Sequence, residues 1–109
     1  MAADESGGIA LRERTDASVV EVWGEIDVAM RSQAGAALAT LLQRDLPVVV
    51  DMSGVTFMDS TGIAFLVQLA SIGRAEGLAV TMVDPPAAVA EVLDIIGIAE
   101  IFDREPAAV

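Results

Sequence analysis

Asp59, Ser60, Thr61 and Gly62 stand between a run of β-branched residues and a long apolar segment of helical period, inside the stretch VVVDMSGVTFMDSTGIAFLVQL at Val48–Leu69. Short β-branched runs form buried strands, and Ser, Thr or Asp just ahead of a periodic run marks a helix start. The pattern predicts a strand-loop-helix unit with a hydroxyl beside unpaired backbone N–H groups and the positive end of a helix dipole. Such a place suits a phosphate. Asp27, Asp51 and Asp84 also fall near predicted strand ends, where open α/β sheets put their sites. For Asp27 and Asp59, capping or loop hydrogen bonds compete with a functional role. Ser60 can cap the helix, accept a phosphoryl group, or do both.

The side-chain inventory removes most catalysis. No histidine or cysteine is present, so neither a Ser-His-Asp nor a Cys-His site can be assembled. The serine context also lacks a Gly-x-Ser-x-Gly elbow. All six basic residues are arginine, which excludes a P-loop lysine, a Schiff base and a Ser-Lys dyad. The Asp59-Ser60-Thr61-Gly62 run does not make an aspartic protease, which needs a second Asp beside the first. A phosphorylated Asp with Mg²⁺ wants a lysine as well as an acidic cluster. No enzyme activity, catalytic residue, metal or cofactor is expected.

The elements that must position Ser60 follow from periodicity. Ile9–Arg14 and Ser18–Glu25 read as strands joined by a turn at Thr15-Asp16-Ala17, with Gly24-Glu25-Ile26-Asp27 closing the second. A helix is predicted over Val28–Arg44, with Ala34, Ala37, Leu38, Leu41 and Leu42 on one stripe and Gly35 helping it lie close to the sheet. Val48–Met52 reads as a central strand, covered on both faces or flanked by a parallel neighbour. A loop, a helix over Thr61–Glu76 ended by Gly77, and a strand at Leu78–Val83 follow. Asp84-Pro85-Pro86 starts a third helix that carries Val89, Leu93 and Ile96 up to Gly97, and Ala99–Phe102 reads as a last strand.

The fold class is therefore α/β: a mixed, mostly parallel sheet of four or five strands with helices packed on it, opening with an antiparallel hairpin. Residues 1–8 and 104–109 read as loose tails around a single domain at 9–103. The second helix is apolar over most of its circumference, with Ile63, Leu66, Val67 and Ala70 on one stripe and Phe65, Leu69 and Ile72 on another. So small a domain has difficulty burying both, and contact of one stripe with a partner is the expectation.

Composition and charge limit the partners. At 109 residues and 54 % apolar, the chain can bury one core. Its net charge of −11 repels nucleic acid and anionic membrane, so direct binding to either is disfavoured. The acidic excess serves solubility or steers the chain towards a basic protein partner. No segment approaches the roughly 20 apolar residues that span a bilayer. The first eight residues, MAADESGG, have neither the basic start nor the apolar core of a signal peptide. A cytoplasmic protein is expected.

Gly24-Glu25-Ile26-Asp27 and Val50-Asp51-Met52-Ser53-Gly54-Val55-Thr56-Phe57-Met58-Asp59-Ser60-Thr61-Gly62 closely resemble the STAS domain of bacterial anti-sigma factor antagonists. Val83-Asp84-Pro85-Pro86-Ala87-Ala88-Val89 and Leu93-Asp94-Ile95-Ile96-Gly97-Ile98 match that family's third-helix pattern, so the resemblance runs from Ile9 to Phe102. It implies that Ser60 is phosphorylated by an anti-sigma factor with GHKL-type serine kinase activity, and restored by a PP2C-type phosphatase. Unphosphorylated antagonist would bind the anti-sigma factor and free sigma. Asp59 would orient Ser60, with Asp27 nearby on the kinase-facing surface. Thr61, Gly62, Ile63, Leu66 and Val67 would complete a partner-binding set, on a monomer or weak homodimer. The alternative within the resemblance is a non-switching STAS scaffold: a stressosome-like assembly subunit or an accessory subunit of a lipid transporter.

Overall fold

The computed structural model describes residues 7–97 and 103–105, and alternation along each strand decides its architecture. Five strands, β1 (Gly7–Glu13), β2 (Ser18–Ile26), β3 (Val48–Met58), β4 (Val80–Val83) and β5 (Asp103–Glu105), form one sheet in that order. β1 and β2 are an antiparallel hairpin, and the remaining pairs are parallel. Val20, Val22, Val48, Val50, Met52, Val80 and Met82 are buried on one face, while Val19, Glu21, Val49, Asp51, Thr81 and Val83 between them stay partly exposed. Three helices, α1 (Arg31–Arg44), α2 (Ser60–Glu76) and α3 (Ala87–Ile95), contribute Leu41, Phe65, Leu66, Leu69, Val89 and Leu93 to the same core. All three therefore cover one face of the sheet. β3 has its parallel neighbours, as expected, but among the described residues it is not covered on both faces.

Several boundaries move. β1 begins at Gly7, so Gly7 and Gly8 belong to the sheet and not to an N-terminal tail. β3 does not stop at Met52: it continues through Gly54 to Met58, because β2 follows it along its length across two register shifts, at each of which β3 carries one extra residue. One shift falls at Gly24, whose φ of 70° lies in the left-handed region that glycine alone enters without strain. Val28–Arg44 is not one helix. A 3-10 turn at Val28–Met30 comes first, and buried Met30 at φ −89°, ψ 1° separates it from α1. The strand expected at Ala99–Phe102 lies outside the described residues. β5 pairs Asp103, Arg104 and Glu105 with Thr81, Met82 and Val83, which takes Arg104 and Glu105 out of the expected tail.

Helix faces are also corrected. In α1, Ala34, Ala37 and Leu41 are buried, but Leu42 is exposed, and Gly35 points away from the sheet with nothing within 4 Å of a would-be Cβ. In α2, Gly62, Phe65, Leu66, Leu69, Ala70 and Gly73 face the core. The sheet thus takes most of the apolar circumference that suggested an exposed stripe, and leaves Ile63, Val67 and Ile72 half-buried.

Arg44, in the last turn of α1, ties that helix to the hairpin. Its guanidinium donates to the Ala17 carbonyl at 3.2 Å, to Ser18 Oγ at 3.0 Å, and to the Arg14 carbonyl. Ser18 is the one fully buried polar side chain among the described residues. Bonds of this charged kind contribute about 1.5–3 kcal/mol, so Arg44→Ala is expected to destabilise the fold by about 2 kcal/mol in urea unfolding. A change below about 0.5 kcal/mol, the range of an ordinary surface substitution, would refute the tie.

Candidate functional site

β2 and β3 stay paired up to Ile26 and Met58, so the next residues, Asp27 and Asp59, leave neighbouring parallel strands side by side. The Asp59 N–H donates to the Ile26 carbonyl at 3.0 Å and holds the two exits together. Each aspartate then turns its carboxylate onto the element that follows. Asp27 Oδ1 accepts from the Ala29 N–H at 3.0 Å, and Asp59 Oδ1 from the Thr61 N–H at 2.7 Å. Both side chains are N-caps, each satisfying one orphan donor of its helix.

Asp59, and not Ser60, therefore caps α2. Ser60 is the first helical residue, is exposed, and its hydroxyl makes no hydrogen bond among the described residues. A short acidic side chain one position earlier satisfies the donor, which leaves the serine oxygen available to a reagent. Neither helix start carries an acidic residue in its first turn. The dipole's positive end is thus offset only by the capping carboxylates.

Asp59→Ala should remove this cap, costing about 1 kcal/mol and lowering Tm by roughly 4–8 °C, while Asp59→Asn, which keeps an acceptor, recovers most of it. Equal losses in both variants on thermal unfolding would mean that charge, and not capping geometry, is what matters there.

Thr61 is half-buried beside Ser60. Gly62 is buried: a Cβ there would lie 2.2 Å from Met58 Cγ and 3.0 Å from Ile26 Cγ2, so glycine lets the first turn of α2 sit down on the ends of β2 and β3. Leu66 is fully buried on the sheet side of α2, so neither Gly62 nor Leu66 presents a side chain to a partner. Ile63 and Val67 are half-buried and can contribute an edge. Asp51 and Asp84 stand apart from this cluster. Asp51 lies inside β3 and accepts from the Ser53 N–H at 3.0 Å and from Ser53 Oγ at 2.7 Å, while Asp84 follows β4 in the left-handed region at φ 52°.

Sequence reasoning missed two exposed apolar residues near the strand exits, Val28 at 60 % and Phe57 at 56 % exposure. Val28 follows Asp27 directly and Phe57 lies two residues ahead of Asp59, so both stand by the strand exits. Their signal was available: each is an apolar residue within two positions of a site aspartate. An apolar groove of about 190 Å³ runs from Phe57 and Met58 past Ile63 to Val89 and Val92 of α3. Among the described residues no group of three or more acidic side chains could hold a metal ion, and no helix is long and apolar enough to cross a membrane. The arrangement leaves the Ser60 hydroxyl open to solvent at the start of α2, one residue after the Asp59 cap.

Comparison with known proteins gives the family and the fold. The sequence profile of a family described as "Mlab, STAS domain" matches residues 9–103. No protein with a curated function matches the chain. Among solved structures, the anti-sigma factor antagonist SpoIIAA in its unphosphorylated form superposes with a TM-score of 0.74 at 19 % identity, over 89 % of this chain and 87 % of that one. The Bacillus cell fate determinant SpoIIAA in the phosphorylated form gives 0.70 at 18 % identity, over 89 % and 90 %. An anti-sigma factor antagonist from Mycobacterium paratuberculosis gives 0.66 at 26 % identity, over 98 % and 92 %.

Proposed function

The chain belongs to the STAS domain family, and on that premise we propose that it is an anti-sigma factor antagonist switched by phosphorylation of Ser60. The observation that carries this is the exposed Ser60 hydroxyl at the first turn of α2, without a hydrogen bond among the described residues and one residue after the Asp59 cap. In this reading the unphosphorylated protein binds an anti-sigma factor of the GHKL serine-kinase type, so releasing sigma. Phosphorylation ends that complex, and a PP2C-type phosphatase restores it. The contact surface comprises Asp27, Asp59, Ser60 and Thr61, with Ile63 and Val67 at its edge. The protein catalyses nothing itself and acts in the cytoplasm.

The test is capture from native lysate with wild type and Ser60→Asp as baits. Wild type is expected to retain a GHKL-type ATPase that Ser60→Asp loses, and that ATPase is expected to phosphorylate Ser60 in the purified protein. A second reading, a non-switching scaffold or accessory subunit, draws support from the family description, which names Mlab and no antagonist. It requires both baits to return the same partners.

A further inference from the structure

α1 and α2 lie next to each other on the sheet, and between them runs a groove of about 320 Å³. Arg31, Gly35 and Leu38 form one side, and Thr61, Ala64 and Phe65 the other. Small residues, Ala34, Gly35 and Ala64, leave room between the larger Leu38 and Phe65. At Gly35 a Cβ would meet nothing within 4 Å, and Ala64 opposite is exposed. One end opens at Thr61, the residue after Ser60, so the groove and the modification site share a rim.

The charge pattern of these two helices differs from the rest of the molecule. The chain carries 17 acidic residues, yet α1 contains none and α2 contains only Glu76, at its far end. Of the arginines, Arg12 pairs with Glu21, Arg14 with Asp16, and Arg44 bonds hairpin carbonyls. Arg31, at the Thr61 end of the groove, is exposed and has no hydrogen bond or ion pair among the described residues. The capping carboxylates of Asp27 and Asp59 are nearby but turned onto backbone N–H groups. A protein of net charge −11 thus presents a groove with no acidic residue in its lining, where Leu38 and Phe65 lie with Thr61 and Gln68 and the Arg31 guanidinium stands at the mouth.

We propose that this groove seats an acidic segment of the partner kinase: an apolar side chain lies over Phe65 and Leu38 while a carboxylate pairs with Arg31. The inference rests on the antagonist reading above and deepens it. It reverses a natural expectation from composition, because the docking segment is acidic although the whole antagonist is acidic too. It also accounts for the sign of the switch. A phosphate of about −1.5 to −2 on Ser60 places negative charge at the Arg31 end of the groove, where it competes for the guanidinium and repels the partner's carboxylate.

The experiment uses the GHKL-type ATPase retained by wild type as the probe, titrated calorimetrically against purified variants. Gly35→Leu and Ala64→Leu fill the groove from opposite walls at exposed helical positions, and each is expected to weaken binding at least tenfold without lowering Tm. Arg31→Ala is expected to weaken binding about tenfold, equivalent to about 1.4 kcal/mol, and to flatten its salt dependence. Arg74→Ala, at the other end of α2, should bind as wild type does. If both leucine variants bind like wild type while Ser60→Asp still fails to bind, the groove assignment is overturned and the antagonist reading stands. If wild type retains no such ATPase, both are overturned together.

Discussion

On the antagonist reading proposed above, Ser60→Asp is expected to weaken binding to the anti-sigma factor at least a hundredfold, about 2.7 kcal/mol, while moving Tm by less than about 2 °C. The two halves of this expectation have different causes. Stability is preserved because Ser60 is exposed and makes no side-chain hydrogen bond among the described residues, so its replacement disrupts no packing. The new carboxylate also sits in the first turn of α2, where negative charge is favoured by about 0.3–1 kcal/mol, and the Asp59 cap is untouched. Binding is expected to be lost because the same charge lies on the proposed contact surface, next to Thr61. Calorimetric titration and thermal unfolding of one preparation read both quantities. A fall in Tm of 8 °C or more would place the effect inside the fold, and the surface-charge explanation would fail.

Gly62→Val is expected to destabilise the protein by about 2–3 kcal/mol and to lower Tm by roughly 10–20 °C. A Cβ at position 62 would stand 2.2 Å from Met58 Cγ, 2.9 Å from its Sδ and 3.0 Å from Ile26 Cγ2. Met58 Cγ is not the free end of a side chain, so clearing it takes a change of χ1 at Met58 or a shift of the end of β3. Ile26 is 1 % exposed and has no room to retreat. The first turn of α2 must lift away from the strand ends, which also displaces Asp59 and Ser60. Gly62→Val should therefore lose kinase-dependent phosphorylation even at temperatures where it remains folded. Gly62→Ala should show a smaller loss in the same direction. A Gly62→Val protein with wild-type Tm would show that the helix start has slack that this packing denies.

Together, these expectations separate two roles that sequence reasoning had merged. Gly62 and Leu66 were read with Ser60, Ile63 and Val67 as one partner-facing set. Residues 62 and 66 are one helical turn apart, and so are 63 and 67, so the two pairs sit on adjacent faces. Periodicity identifies both faces as apolar and says nothing about which one meets the sheet. The sheet lies under Gly62, Phe65, Leu66 and Leu69, which makes Gly62 a spacer and Leu66 a core residue. The hydroxyl's role shifted for a similar reason. Asp59 and Ser60 are both good caps, and only the backbone path, extended at Asp59 with φ −93° and ψ −165°, assigns the cap to the aspartate.

Local patterns were enough for the α/β class, the opening hairpin, the helix stop at Gly77, the placement of Asp27 at a strand exit and that of Asp59 and Ser60 at a helix start. Each is a short-range signal: β-branched runs, a helical period, a glycine in the left-handed region, a carboxylate just ahead of a helix. Four features came only with tertiary structure. They are the continuation of β3 to Met58, the single covered face of the sheet, the burial of Leu66, and the acid-free groove between α1 and α2. Each depends on residues brought together from distant parts of the chain, as when β2 pairing carries β3 past Gly54 or Gly35 and Ala64 come to line one groove. Composition could count the 17 acidic residues, but not where they lie. Helix packing on one sheet face put Arg31 beside Thr61 and left the acids elsewhere, because that arrangement follows from which sides of α1 and α2 bury their apolar atoms.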